Sequence, residues 1–230
     1  MGVKLQLACF ERLGPPGWSS LFEVAAAARD AGLLVVADGK RGDVPHTARA
    51  YAQALVGSTP TPWGEVEGLA ADAVTANPLL GPDSLEPIVE AARAAGAGTF
   101  VLVRTSNPGA GELQDAPVDG APLHEKLARL VERLGEGDGP VADVGAVVGA
   151  TRPELLDRLR SLMPRAVFLL PGVGAQGGRV EDLAPAFAPG PAGGLVAASR
   201  SIADAAVEGG AEAVRAVAEG IRDSAWALSA

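Results

Sequence analysis

The segment LLVVADGKRGDVPHTARAYA (33–52) runs through five apolar residues without a break, reaches a cluster of charges at Asp38, Lys40, Arg41 and Asp43, and passes into a helix-forming stretch near Thr47. An apolar run that does not alternate is the pattern of a strand buried on both faces. The same succession recurs along the chain. VKLQLA (3–8), LLVVAD (33–38), AVTA (73–76), TFVLVRT (99–105), VGAVVGA (144–150), AVFLLPG (166–172) and GLVAAS (194–199) read as strands. Between them, SLFEVAAAARDAG, DSLEPIVEAARAAG, PLHEKLARLVERLG and RPELLDRLRSLM carry apolar residues at helical spacing, and several stop at Gly. Strict βα alternation implies a parallel sheet, either doubly wound or closed. Polar residues follow the strands at 38–43, 105–107, 174–178 and 199–200. A doubly wound sheet would gather them at one switch point, whereas a barrel spreads them around its C-terminal face. The expectation is an α/β chain with a (β/α)8 TIM-type barrel as a single domain over 1–230. Seven strands are read instead of eight, and the sequence opens almost directly on one, so the barrel's first strand is expected to be missing. Such a chain would leave two strand edges unpaired and is expected to be poorly soluble or weakly active.

Composition narrows the function. Hydrophobic residues make up 48% of the 230 and charged residues 20%, which describes a folded chain with enough length for a large core. The net charge of −9 argues against nucleic acid and against an anionic membrane as partner, since both need a basic patch. It leaves room for a small anion held by a few local cations. Cys9 is the single cysteine, so no internal disulfide can form and the cytoplasm is the expected compartment. The N-terminal stretch, charged at Lys4, Glu11 and Arg12, reads neither as a signal peptide nor as a membrane span.

Within the charge cluster, Asp38 and Lys40 are two residues apart and share a strand face. Two carboxylates around one ammonium suit a core poorly; they suit a site that keeps a lysine charged beside a reacting group. The plain alternative is a solvated βα turn. The glycines of Pro171–Gly178 would let backbone N–H groups approach a phosphate, and Arg200 follows the last strand as a helix opens, the usual phosphate position in a barrel. Segments 57–68 and 107–122, rich in Gly, Pro and acidic residues, read equally as lids or as solvated loops. His46 and His124 are expected on the surface, Trp18, Trp63 and Trp226 in helix or loop packing, and Cys9 as a small buried hydrophobe.

DGKRGDVPHTARAYA resembles the D-x-K-R-G-D signature of the orotidine-5′-phosphate decarboxylases. ANPLLGPDSLEP, VLVRTSNPGAGELQD, VGAVVGAT, LLPGVGAQGG and AASRSI resemble the long-loop bacterial branch of that family, in order and each near a strand end, from about Val3 to Ile202. The resemblance implies decarboxylation of orotidine 5′-phosphate to UMP in pyrimidine biosynthesis by a homodimer with shared active sites, and it implies no cofactor and no metal. Residue by residue, Lys4 would bind ribose and the neighbouring aspartate, Asp38 would sit against the substrate carboxylate, and Lys40 would protonate C6. Asp43 would reach the partner's site, with Thr47 touching ribose from the same turn. Ser106 would contact the pyrimidine, Gln176 would bridge base and phosphate, and Arg200 would hold the phosphate. VKLQ in place of the usual VKPQ, and Gly39 where alanine is common, are mild departures. The ribose-contacting aspartate of the family's first strand has no counterpart here. Two other readings remain open at this point: a Mg2+-dependent sugar-phosphate decarboxylase or aldolase of the same scaffold, which would need a further acidic ligand, and a truncated, non-catalytic phosphate-binding barrel. RTSNPGAG and PGVGAQGG favour the pyrimidine nucleotide.

Overall fold

The computed structural model describes residues 2–229 and forms two compact units, Met1–Leu102 and Val103–Ala230. The first unit opens with β1 (Gly2–Gln6), the short α1 (Leu7–Glu11) and α2 (Pro15–Asp30), followed by β2 (Leu34–Arg41) and α3 (Pro45–Leu55). An exposed hairpin, β3 (Ser58–Thr61) and β4 (Gly64–Glu67), leads to β5 (Ala73–Ala76), α4 (Pro82–Ala94) and β6 (Gly98–Arg104). β1, β2, β5 and β6 lie parallel in that order. Leu7, Leu21, Val35, Ala37, Val74, Leu85 and Val101 are buried between strands and helices, which is why the strands read as unbroken apolar runs. α2 and α4 each carry proline in the first turn, where its missing N–H costs no helical hydrogen bond.

β2 is longer than the apolar run alone implies and is not regular. Ala37 pairs with Val74 and Arg41 with Ala76, so four steps on β2 match two steps on β5. The surplus residues form a bulge that holds Asp38, Gly39 and Lys40. Bulges re-aim side chains and often stand beside active sites. Lys40 takes φ +49, a left-handed conformation that costs a non-glycine residue about 1–3 kcal/mol and persists only where the surroundings enforce it. A Cβ at Gly39 would stand 2.7 Å from Leu7 Cδ1, a side-chain end that would have to shift to admit it.

The second unit begins at Val103, within β6, and continues through α5 (Ala110–Gln114) and a two-by-two-residue hairpin, β7 (Pro117–Val118) and β8 (Ala121–Pro122). Then come α6 (Leu123–Leu134), β9 (Val144–Val148), α7 (Leu156–Leu162), β10 (Phe168–Pro171), β11 (Gly194–Ala197) and α8 (Arg200–Ala227). β9, β10 and β11 are parallel, with Phe168 opposite both Ala146 and Gly194. The Gly149 N–H donates to the Arg104 carbonyl at 2.6 Å, which brings the loop after β9 beside the end of β6. α8 bends at Gly210, whose φ of 65 lies outside the helical region.

All seven expected strands form, within a few residues of their expected limits. The two long segments resolve differently. Segment 57–68 is a hairpin that precedes β5, at the strands' N-terminal ends, with Trp63 93% exposed at its tip. Segment 107–122 follows β6, at the C-terminal end where the charged residues lie. Three bland readings are corrected. Cys9 is exposed, because the five-residue α1 turns Leu7 inward and Cys9 outward. Trp63 and Trp226 are largely exposed, at 93% and 65%, whereas Trp18 on α2 keeps 37% of its surface open. His124 is buried at the start of α6, where Nδ1 meets the Gln114 carbonyl at 2.9 Å and Asp115 Oδ1 at 3.1 Å.

Candidate active site

In the first unit the chemistry gathers on Asp38. Lys4, on β1, is set beside β2 by a register that pairs Gln6 with Asp38. Its ammonium donates to Asp38 Oδ2 at 2.6 Å, and the Lys40 ammonium donates to Asp38 Oδ1 at the same distance. Thr75, buried on β5, closes the set. Its hydroxyl donates to Asp38 Oδ1 at 2.9 Å and accepts the Lys40 backbone N–H at 2.8 Å. One threonine therefore fixes both the carboxylate and the left-handed backbone of the lysine. Burial pushes the Asp38 carboxyl up, but the charge and hydrogen bond of Lys4, with those of Lys40 after them, outweigh it and hold the pKa below the ordinary carboxylate range. Asp38 is thus an anion enclosed by protein, whereas the Lys40 side chain keeps 39% of its surface open to a ligand.

The remaining charges of the DGKRGD stretch divide. Arg41 pairs with Glu11 and lies over the Tyr51 ring at 5.4 Å, a packing role. Asp43 accepts the Val44 N–H at 2.8 Å and makes no ion pair with Lys40 among the described residues. Thr47 lies half-buried in the first turn of α3.

In the second unit, Ser106 and Gln176 converge on Gly172. A Cβ at Gly172 would stand 2.9 Å from Gln176 Oε1, 3.0 Å from Ser106 Cβ and 3.2 Å from Thr151 Cγ2. Glycine also admits the φ of +105 found there. The loop beyond is tightly wound, with Gly174 N–H donating to the Gly178 carbonyl at 2.9 Å and Gly178 N–H to the Gly172 carbonyl at 3.0 Å. Arg200 is the first residue of α8, exposed and without an acidic partner among the described residues. An unpaired guanidinium at a helix N-terminus is the arrangement that receives an anion.

Sequence reading brought out Lys4, Asp38, Lys40, Ser106, Gln176 and Arg200, and missed Thr75, whose signal was a lone polar residue in the apolar run AVTA. It also missed the set around Arg104. That buried side chain holds Asp115 through Nε at 2.8 Å and Nη2 at 3.0 Å, while Nη1 donates to the Thr105 carbonyl at 2.6 Å. The Arg104 hydrogen bond is the main force holding the Asp115 carboxyl below its usual value. Among the described residues no three His, Cys, Asp or Glu side chains come together as metal ligands, and no helix is long and apolar enough to cross a membrane.

Known proteins resemble this chain in sequence and fold. The sequence profile described as "Orotidine 5′-phosphate decarboxylase / HUMPS family" matches residues 1–217. The orotidine 5′-phosphate decarboxylase of Rhodopirellula baltica is 50% identical, across 87% of this chain and 66% of its own length. That of Deinococcus radiodurans is 52% identical, across 87% of this chain and 70% of its own length. The chain therefore spans about two thirds of the length of these relatives. The solved structure of Leishmania donovani OMP decarboxylase superposes with a TM-score of 0.76 at 35% identity, covering 98% of this chain and 81% of that one. The parallel βα succession is accordingly that of a TIM-type barrel, and the chain belongs to the orotidine 5′-phosphate decarboxylase / HUMPS family.

Proposed function

We propose that this chain is a carboxy-lyase that converts orotidine 5′-phosphate to UMP in de novo pyrimidine biosynthesis, without a cofactor. The observation that carries the reading is the Lys40 ammonium, held at 2.6 Å on an enclosed, ionised Asp38 and still open on its outer side. Loss of CO2 breaks the C6–carboxylate bond and leaves the electron pair on C6, in the ring plane, where no adjacent π system spreads it. A fixed ammonium within reach stabilises that charge as it develops and then donates the proton that completes UMP; solvent reprotonates the amine. General acid catalysis of this kind contributes about 10²–10⁴-fold. Asp38, set against the substrate carboxylate, raises the ground state by an amount within the ~1–5 kcal/mol range of such strain.

Lys4 orients Asp38 and binds ribose, with Thr47 as a second ribose contact. Ser106 meets the pyrimidine, Gln176 bridges base and phosphate, and Arg200 with the glycine-rich loop 171–178 holds the phosphate. Binding energy from the remote phosphate then positions the ring for reaction. Asp43, without an ion pair among the described residues, serves the neighbouring site of a cytoplasmic homodimer.

The experiment is decarboxylation of orotidine 5′-phosphate with and without EDTA. Turnover that survives EDTA supports the reading; turnover lost to EDTA and restored by Mg2+ selects a metal-dependent reaction instead. Arg200→Ala should weaken the nucleotide by about 2–5 kcal/mol while barely altering the affinity for orotidine, which lacks the phosphate. Mixing inactive Lys40→Ala and Asp43→Ala subunits should restore activity, because a hybrid dimer holds one site with both side chains; verified hybrids without activity would return Asp43 to its own subunit's site.

A further inference from the structure

Ser106 lies on a backbone fixed from both sides, and most of the fixing comes from the far end of its own loop. The preceding residue, Thr105, is held at every polar group. Its N–H donates to Gln114 Oε1 at 2.8 Å, its hydroxyl accepts Gln114 Nε2–H at 3.0 Å, and its carbonyl accepts the Arg104 guanidinium at 2.6 Å. The Ser106 carbonyl in turn accepts the Thr151 hydroxyl at 3.3 Å. Gln114 is itself held in place: its carbonyl receives His124 Nδ1–H at 2.9 Å, and the next residue, Asp115, is gripped by Arg104 through two hydrogen bonds. Because Nδ1 meets a carbonyl, which can only accept, that nitrogen acts as the donor. Between these anchors Asn107, Pro108 and Gly109 are exposed. The tip is exposed, with Asn107 Oδ1 accepting the Thr105 hydroxyl at 2.7 Å, and the base is clamped, with Ser106 beside the clamp.

We infer that Gln114 is a positioning residue for the pyrimidine contact: by bracketing the Thr105 N–H and hydroxyl it sets where the Ser106 side chain meets the ring of a pyrimidine nucleotide. This rests on the proposed reading that Ser106 touches that ring. Gln114 touches no ligand itself, so its effect must appear on ring-bearing ligands and travel through Ser106.

The test compares UMP with ribose 5-phosphate, which lacks the ring, by calorimetric titration of the wild-type chain, Ser106→Ala, Gln114→Ala and the double variant. Gln114→Met, equal in length and without polar groups, replaces Gln114→Ala if the latter does not fold. The inference expects Gln114→Ala to weaken UMP roughly three- to tenfold, the reach of one or two lost hydrogen bonds. Ribose 5-phosphate should change less than about twofold, and the double variant should bind UMP no worse than the weaker single variant, because the two residues act as one unit. Equal losses for both ligands, or additive losses in the double variant, would make Gln114 a general structural support and overturn the inference. A neutral Gln114→Ala beside a weakened Ser106→Ala overturns it alone, whereas a neutral Ser106→Ala removes the ring contact on which it rests.

Discussion

Two of the buried ionised side chains among the described residues, Asp38 in the first unit and Arg160 in the second, have surroundings that differ in kind. Asp38 stands at the C-terminal end of its strand and is answered by charges: two ammonium groups and a hydroxyl. Arg160, on α7 ahead of β10, is answered by the backbone. Its guanidinium donates to the carbonyls of Met163, Ala166, Ala186 and Gly193 at 2.6–3.1 Å, with longer contacts to Pro164 and Pro185 at 3.4 Å. It also lies 3.8 Å over the Phe168 ring. Burial lowers its pKa to about 10, so it stays charged at neutral pH with no carboxylate beside it among the described residues. The planar fork of arginine suits this task, because it offers five N–H groups in fixed directions and ties the α7–β10 connection to the 180–187 turn and to the start of β11. The difference separates a staple from a proposed reaction centre. Arg160 has its donors consumed and is closed to ligands. Lys40 spends one hydrogen bond on Asp38, keeps its outer face open and stands on a strained backbone.

Breaking the staple should have the largest effect on stability. Arg160→Met leaves buried carbonyls without donors and should cost about 3–5 kcal/mol in urea unfolding. Nucleotide affinity of the fraction that remains folded should hold within about twofold. A loss below about 1 kcal/mol would show that water takes over those carbonyls.

Asp38→Asn should give the opposite profile. With no anion between Lys4 and Lys40, kcat should fall by at least about 10²-fold, as when a preorganised electrostatic partner is removed. Its stability loss should be smaller than that of Arg160→Met, because both ammonium groups reach water.

Acid titration sharpens the contrast. The Asp38 carboxyl is held below its unfolded value, so its contribution to stability is fully present above the ordinary carboxylate pKa and is lost as pH falls through the depressed folded value. The slope of stability against pH in that window should be shallower in Asp38→Asn than in wild type and unchanged in Arg160→Met. Identical slopes in all three proteins would remove Asp38 as the acid-sensitive group.

The smallest effect concerns the left-handed backbone. Lys40→Gly should be more stable than Lys40→Ala by about 1 kcal/mol, since only glycine adopts that conformation without strain. Equal stabilities would mean that the bulge relaxes once the lysine side chain is gone.

How much of this was legible in the sequence follows from the range of each interaction. The strands were readable because burial on both faces writes an unbroken apolar run, as in VGAVVGA and AVFLLPG. Asp38 and Lys40 were readable because their grouping is local. Thr75 was not, since its meaning comes from a bulge that places it against a residue 37 positions earlier. Arg160 looked like one more charge on the amphipathic segment RPELLDRLRSLM; its partners run from three to 33 positions further on, and no periodicity reports on carbonyls. His124 misled for a related reason: a polar residue opening a helix reads as exposed, whereas Gln114 and Asp115 fold back to cover it. The resemblance to a known family supplied what spacing could not, namely the separate tasks proposed for Ser106, Gln176 and Arg200.

The account stands or falls on Lys40 as the proton donor held by Asp38. The direct measurement is the single-turnover rate of UMP formation from saturating orotidine 5′-phosphate by wild-type and Lys40→Ala protein, in EDTA, with folding checked by circular dichroism. The account predicts turnover by the wild type and a loss of about 10²–10⁴-fold or more in a folded Lys40→Ala. A folded Lys40→Ala that retains more than about a tenth of the wild-type rate, a barrier change under 1.4 kcal/mol, would contradict it.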